Sequence, residues 1–172
     1  VPRLDSFQQA IPDINIRIDA TVAPVDLRRD DVDIAIRFGT GDYPGYRVDL
    51  LFNEEVFPVC SPSLLAGASD LTPDDLAKYT LLHTSLAASA GFRVDWRMWL
   101  KTVGAKDVDW QRGPVFSDDT LTAQAALMGQ GVALVNGAAV RDDLREGRLV
   151  RPFDLSMESD FAYYLMSPLE TT

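Results

Sequence analysis

Imidazole chemistry has one place to occur in this sequence, because His83 is the only histidine. A serine or cysteine nucleophile would have to find its base there, and no G-x-S-x-G elbow is present to present a serine. At a strand end, a lone histidine reads first as a hydrogen-bonded structural residue and second as a ligand contact. Cys60 is the only cysteine, which rules out an internal disulfide and a multi-cysteine metal site within one chain. It has no basic cluster beside it in sequence and reads as a small buried side chain. The carboxylates Asp30, Asp31 and Asp33, and the pair Asp118 and Asp119, lack the alternating oxygen ligands and turn glycine of a calcium loop. They read as solvated charge and helix caps. Gly129-Gln130-Gly131 has the wrong polarity for a dinucleotide fingerprint, since these glycines end a helix instead of opening one. GTGDYPG at 39–45 follows a strand but carries Pro44 where a third glycine would be needed, so it reads as a loop that could line a ligand. No metal, cofactor or coherent acid–base set is expected, and the sequence does not read as an enzyme.

These residues are set in a chain of ordinary globular composition, 47% apolar and 24% charged, long enough at 172 residues to bury a core as one domain or two small lobes. The formal net charge of -10 repels phosphate backbones and anionic headgroups, so this chain is not expected to hold DNA itself. A local basic pocket, such as one around Arg37, could still attract a small anion. No apolar run approaches the ~20 residues of a membrane span, and the first residues lack a signal-peptide core. Cytoplasmic residence is the expectation.

Residues 1–11 place Val1, Leu4, Phe7, Gln8 and Ile11 at helical spacing. Ile14, Ile16, Ile18 and Ala20 then alternate with Asn15, Arg17 and Asp19, a period-2 pattern that predicts a strand with one buried face. A short helix is expected over 25–32, and a strand over Asp33–Phe38. Two further strands are expected around Val48–Phe52 and Val56–Cys60, then a short helix after Ser61-Pro62. Thr72-Pro73-Asp74-Asp75 predicts a capped helix over Asp74–Lys78. Leu81–His83 reads as a buried strand. Asp95 caps a helix carrying Trp96, Trp99, Leu100 and Val103 on one face, stopped by Gly104. Ser117-Asp118-Asp119-Thr120 starts another that ends near Gly129 or Gly131. Val132–Val135 is a buried strand, Ala138–Arg145 a helix stopped at Gly147, Leu149–Phe153 extended and Phe161–Met166 a last strand. Helices and strands alternate throughout, which implies an α/β architecture.

The run DIAIRFGTGDYPGYRVDLLFNEEVFPVCSP at 33–62 resembles LysR-type transcription regulators, especially a subgroup like the glycine cleavage activator. FSDDTLTAQAALMGQGVALV at 116–135, LREGRLVRPF at 144–153 and YYLMSP at 163–168 resemble it in the same order and spacing. The resemblance implies a periplasmic-binding-protein type 2-like fold, two α/β lobes joined by crossover strands with an effector cleft between. Lobe I would be 1–60 plus 161–172 and lobe II 61–160, with crossings near Val59–Ser61 and Asp160–Ala162. A DNA-binding helix-turn-helix domain, a linker helix and the first strand of lobe I would precede Val1, and a final helix would follow Pro168.

Carried over from the family, the ligand-binding candidates are Arg37, Phe38 and Gly39 from the strand-end loop, His83 and Thr84 at the start of lobe II, Ser117 and Asp118 at the capped helix, and Asn136. Many members of the subgroup carry a basic or bulky residue where this chain has Asn136-Gly137, so the effector preference can differ. For Arg37 an ion pair with Asp33 or Asp42 stays open as the alternative. The implied function is sensing of a small molecule, a carboxylate or amino acid, to control transcription. Homodimers or tetramers are expected, with Val1, Leu4 and Gln8 meeting Leu121, Gln124 and Leu127 across a two-fold. DNA, and RNA polymerase, would be contacted only by the whole regulator. The competing reading is a free solute-binding protein of a transport system, which would share fold and cleft.

Overall fold

The computed structural model describes residues 4–21, 23–68, 70–85 and 94–169. Six strands form one sheet: β1 (Ala35–Gly39), β2 (Tyr46–Val59), β3 (Leu81–Thr84), β4 (Val115–Phe116), β5 (Val132–Asn136) and β6 (Met157–Pro168). Across the sheet the order is β1-β6-β2-β5-β3-β4. The pairs β1–β6, β6–β2 and β2–β5 are antiparallel, whereas β3 runs parallel to both β5 and β4.

The pairing of β2 changes hands along its length. Its first part lies against β6, with Asn53 opposite Ala162, and irregularities at Leu50/Phe52 and Asn53/Glu55 twist the ladder. Val56 pairs with both Met157 of β6 and Asn136 of β5, and from there to Val59 the strand follows β5. The two strands expected around Val48–Phe52 and Val56–Cys60 are therefore one strand of 14 residues. The polar Asn53-Glu54-Glu55 run that reads as a break is absorbed by the bulges.

Among the described residues four helices flank the sheet: α1 (Leu4–Ala10), α2 (Trp96–Val103), α3 (Asp119–Leu127) and α4 (Gly137–Arg145). Their ends follow the sequence signals. The Asp95 carboxylate accepts from the Met98 N–H at 2.8 Å, and Gly104 closes α2 in the left-handed region at φ 75°, where a Cβ is penalised. The Asp118 carboxylate accepts from the Leu121 N–H at 3.0 Å and so caps α3. Pro73–Lys78 is a 3-10 turn opened by Thr72, tighter than the α-helix its caps suggest.

Alternation along the strands divides the core between the two faces. On one, Val56, Leu81, Val132 and Leu134 pack with Trp96, Trp99 and Leu100 of α2. On the other, Phe57, Leu82, Ala133 and Val135 pack with Ala123, Ala125 and Ala126 of α3 and Val140 of α4. All five residues of β5 are buried, as a strand covered on both faces requires. Cys60 is fully buried, and burial pushes its thiol up to about 11.

Three local expectations are corrected. Residues 14–20 form no strand, and Ile14 and Ile18 are 47% and 59% exposed. Alternation specifies a face but not a ladder partner, and among the described residues β1 has β6 as its only neighbour. Residues 25–32 make a single turn closed by N–H groups of Arg29 and Asp30 on the Asp26 carbonyl, because Asp26 and Asp30 side chains take up local amides. Leu149–Phe153 contributes one bridge, Val150 to Cys60. Among the described residues, no helix is long and apolar enough to cross a membrane, and no group of three metal-ligating side chains occurs.

Candidate functional site

Parallel strands β5, β3 and β4 end on the same side of the sheet. The chain then turns into α3 and α4, whose N-termini lie just beyond those ends. Ligands in open α/β sheets bind outside the carboxyl ends of such strands, where unsatisfied helix N–H groups gather. Thr84, the last residue of β3, pairs with Phe116 of β4. Its hydroxyl donates to Asp119 at 2.9 Å and lies 2.7 Å from the Thr122 hydroxyl. Thr122, fully buried, donates in turn to the Asp118 carbonyl at 2.9 Å. The Ser117 hydroxyl donates to the Asp118 carboxylate at 3.1 Å. Thr84, Ser117 and Asp118 are thus brought into one network at the start of α3.

His83 sits one residue back on β3. Its Nε2–H donates to the Arg112 carbonyl at 3.4 Å, the structural role expected first for a lone histidine. Together with Thr84, Val94, Asp95, Trp96 and Leu134 it also lines a small pit in the surface. Asn136 ends β5, is 3% exposed and begins α4 without a side-chain cap bond.

Arg37, Phe38 and Gly39 lie across the sheet's central strands. Gly39 pairs with Ala162, which pairs with Asn53, whereas Asn136 is in register with Val56, so the end of β1 and the row that holds Asn136 are joined through the Asn53–Val56 stretch of β2. Phe38 packs on Phe161 and Tyr163, with ring centroids at 5.5 and 4.9 Å. The Arg37 guanidinium donates to the Ala23 carbonyl at 3.1 Å, and does not pair with Asp33 or Asp42. That contact leaves part of its planar donor fork for a ligand.

Two features escape sequence reading. Asp119 is read there as solvated charge but is tied to Thr84, a pairing 35 residues apart that no local spacing reveals. Glu54 is buried at 5% exposure. Its carboxylate accepts from the N–H of Ala138 at 3.2 and 3.3 Å and from that of Glu55 at 3.0 Å. Burial pushes its carboxyl above the usual range against the lowering effect of those amides, and the nearby Asp119 charge adds to the rise.

The residues expected at a dimer contact fall on outward faces where described. Leu4 is half-buried and Gln8 exposed on α1, which buries no side chain; Val1 lies outside the described residues. On α3, Leu121 is 44% exposed and Met128, just past its end, 77%, with Gln124 exposed and Leu127 half-buried. The outer side of α3 is mixed, with Leu121 and Met128 exposed beside Thr120 and Gln124 although the inner side is already packed.

Comparison with known proteins identifies the family. The LysR substrate binding domain family matches residues 1–170. The glycine cleavage system transcriptional activator of Escherichia coli (strain K12) is 45% identical over 167 residues, covering 96% of this chain and 53% of that protein. The HTH-type transcriptional activator AmpR of Rhodobacter capsulatus is 34% identical, covering 98% of this chain and 55% of the relative. The chain thus spans about half the length of the curated relatives it matches. Among solved structures, the effector domain of AmpR from Pseudomonas aeruginosa is similar at TM-score 0.73 and 29% identity, covering 99% of this chain and 79% of that one. The AmpR effector binding domain from Citrobacter freundii gives TM-score 0.74 at 27% identity, covering 99% and 82%. These relatives are transcription regulators, and nothing in the comparisons supports a transport protein. The chain belongs to the LysR substrate-binding family: it is the effector-binding domain of a LysR-type transcription regulator, with the periplasmic-binding-protein type 2-like fold of those domains.

Proposed function

We propose that this domain senses a small carboxylate or amino acid in a cleft between two lobes, 1–60 plus 161–172 and 61–160, and so controls transcription. The observation that carries the reading is the convergence of Thr84, Ser117, Asp118 and Asn136 at strand ends and helix starts, joined through the Asn53–Val56 stretch of β2 to the end of β1 with Arg37, Phe38 and Gly39. The hinge is assigned to the rows from Asn53 and Ala162 to Val56 and Met157, slightly earlier along β2 than the sequence implies. Arg37 serves a ligand carboxylate, Phe38 packs on its apolar part, and the Ser117 hydroxyl with the first amides of α3 completes its polar shell. His83 contributes through the wall of the pit.

Calorimetry with a panel of amino and organic acids tests this on the intact regulator. A ligand at about 100 times its dissociation constant adds about 2.7 kcal/mol to the stability of the bound state. Arg37→Ala and Ser117→Ala are each expected to weaken binding about tenfold or more, since a charge-assisted hydrogen bond contributes roughly 1.5–3 kcal/mol. A ligand whose affinity neither change alters would show that it binds elsewhere.

The whole regulator is proposed to bind DNA through a separate helix-turn-helix domain, to meet RNA polymerase in that form, and to act in the cytoplasm. It pairs as a dimer or tetramer through α1 and the outer face of α3. The exposed Leu121 and Met128 support that pairing, because a solvated helix is ordinarily polar outside. Sedimentation of the intact regulator is expected to show a dimer or larger species that Leu121→Asp shifts toward monomer. A monomer at high concentration before any substitution would contradict it.

A further inference from the structure

Two side chains reach from the central strand to the same helix. Glu54 and Phe52 lie on β2 where it leaves β6 for β5, between the irregular pairing at Leu50/Phe52 and the shared residue Val56. The Glu54 carboxylate receives the Ala138 N–H in the first turn of α4. One turn on, the Arg141 guanidinium sits over the Phe52 ring at 5.5 Å. The start of α4 is pressed close as well: at Gly137 an added Cβ would stand 3.0 Å from the Phe57 ring and 3.3 Å from Glu54 Oε1. From Phe52 the contacts continue through Tyr163, at 4.9 Å between centroids, to Phe38, again at 4.9 Å.

We propose that Glu54 and Arg141 form a latch that fixes α4 to the hinge strand and thereby sets the angle between the two lobes. The proposal rests on the two-lobe reading above and adds the residues that hold the angle. A buried carboxylate on a helix start is held by both its amides and the field of the helix, and moving α4 away would remove the Ala138 N–H and that field, leaving it the Glu55 N–H of its own strand. Arg141 and Phe52 guard the next turn, so the helix cannot pivot about Glu54 alone. Phe38 stands at the far end of the same ring stack. A ligand that shifts Phe38 therefore acts on Phe52, and through it on α4.

Glu54 and Arg141 are positioning residues in this account, and their effect is read without any ligand. In the intact regulator, spin labels on Arg47→Cys and Lys101→Cys, both exposed positions, report the distance from β2 to α2 by pulsed electron resonance. Cys60 is fully buried and does not compete for label. A narrow distribution is expected in the parent. Arg141→Met and Glu54→Ala should broaden it by about twofold or more, as loss of a hinge contact allows, and Glu54→Gln, which keeps one acceptor oxygen, should recover part of the width. A parent-like distribution in a cooperatively folding Arg141→Met protein overturns the latch, whether or not Glu54→Ala folds. Failure of the lobe reading is distinct: the parent would then bind nothing in the calorimetric panel, whatever the label distances show.

Discussion

Alanine at Trp99 is expected to cost about 3–5 kcal/mol, a large share of the roughly 5–15 kcal/mol that holds a domain together. Trp99 has no exposed surface. It stands edge-on to Trp96 at 5.8 Å and tilted against Phe153 at 5.4 Å, so the alanine variant opens a cavity under the whole of α2. Phenylalanine should behave differently. The Trp99 indole N–H has no hydrogen-bond partner among the described residues, and a buried donor left unmet is a standing cost of about 1–3 kcal/mol. Removing it offsets part of the lost volume, and Trp99→Phe is expected within about 1.5 kcal/mol of the parent. Trp96 supplies the contrast, because its N–H donates to the Leu82 carbonyl at 3.0 Å. Trp96→Phe deletes that hydrogen bond and should cost more than Trp99→Phe by about 1 kcal/mol. Denaturant melts of the three variants check the ordering, and equal losses for the two phenylalanine changes would contradict it.

Gly113→Ala is the second large effect, and it falls on the site. Gly113 has φ 134°, a region that side chains rarely adopt, and a Cβ there would overlap the Leu81 carbonyl oxygen. Strain of this kind costs about 1–3 kcal/mol before the overlap is counted. The residues that follow carry the rest of the damage. Pro114 and Phe116 accept from the N–H groups of His83 and Ser85, so displacing Gly113 peels β4 from β3 and moves Ser117 and Asp118 away from Thr84. The expected result is a lower melting temperature together with loss of ligand binding. A Gly113→Ala protein as stable as its parent would show that this edge of the sheet adapts without cost.

Helix ends and fully buried strands were the legible parts of the sequence. Asp95 and Gly104 bracket α2, Asp118 caps α3, and Gly147, with φ 70°, follows α4, because these positions are governed by local hydrogen bonding and by the freedom of glycine. The unbroken apolar run of β5 was equally plain. Pairing was not. The alternation at 14–20 gave the form of a strand but not a neighbour for it, and the Asn53-Glu54-Glu55 run hid the continuity of β2. A buried glutamate is expensive unless it is bonded, and beside the adjacent Glu55 N–H the amide that satisfies Glu54 comes from Ala138, 84 residues away. The candidate site residues came from family resemblance, while the contacts of Thr122, Asp119 and Glu54 were not legible, since each acts through a partner distant in sequence or through burial. Thr84 and Ser117 reach the same edge of the sheet because β3 and β4 run parallel.

The effector is proposed to sit where the strand ends of β5, β3 and β4 face the end of β1. Backbone amide spectra of the intact regulator, titrated with the acid that binds most tightly in calorimetry, address it residue by residue. Saturable shifts at Phe38, Gly39, Thr84, Ser117 and Asn136 are the predicted outcome. Saturable binding with shifts confined to the outer faces of α1 and α2, and none at those five positions, would contradict it.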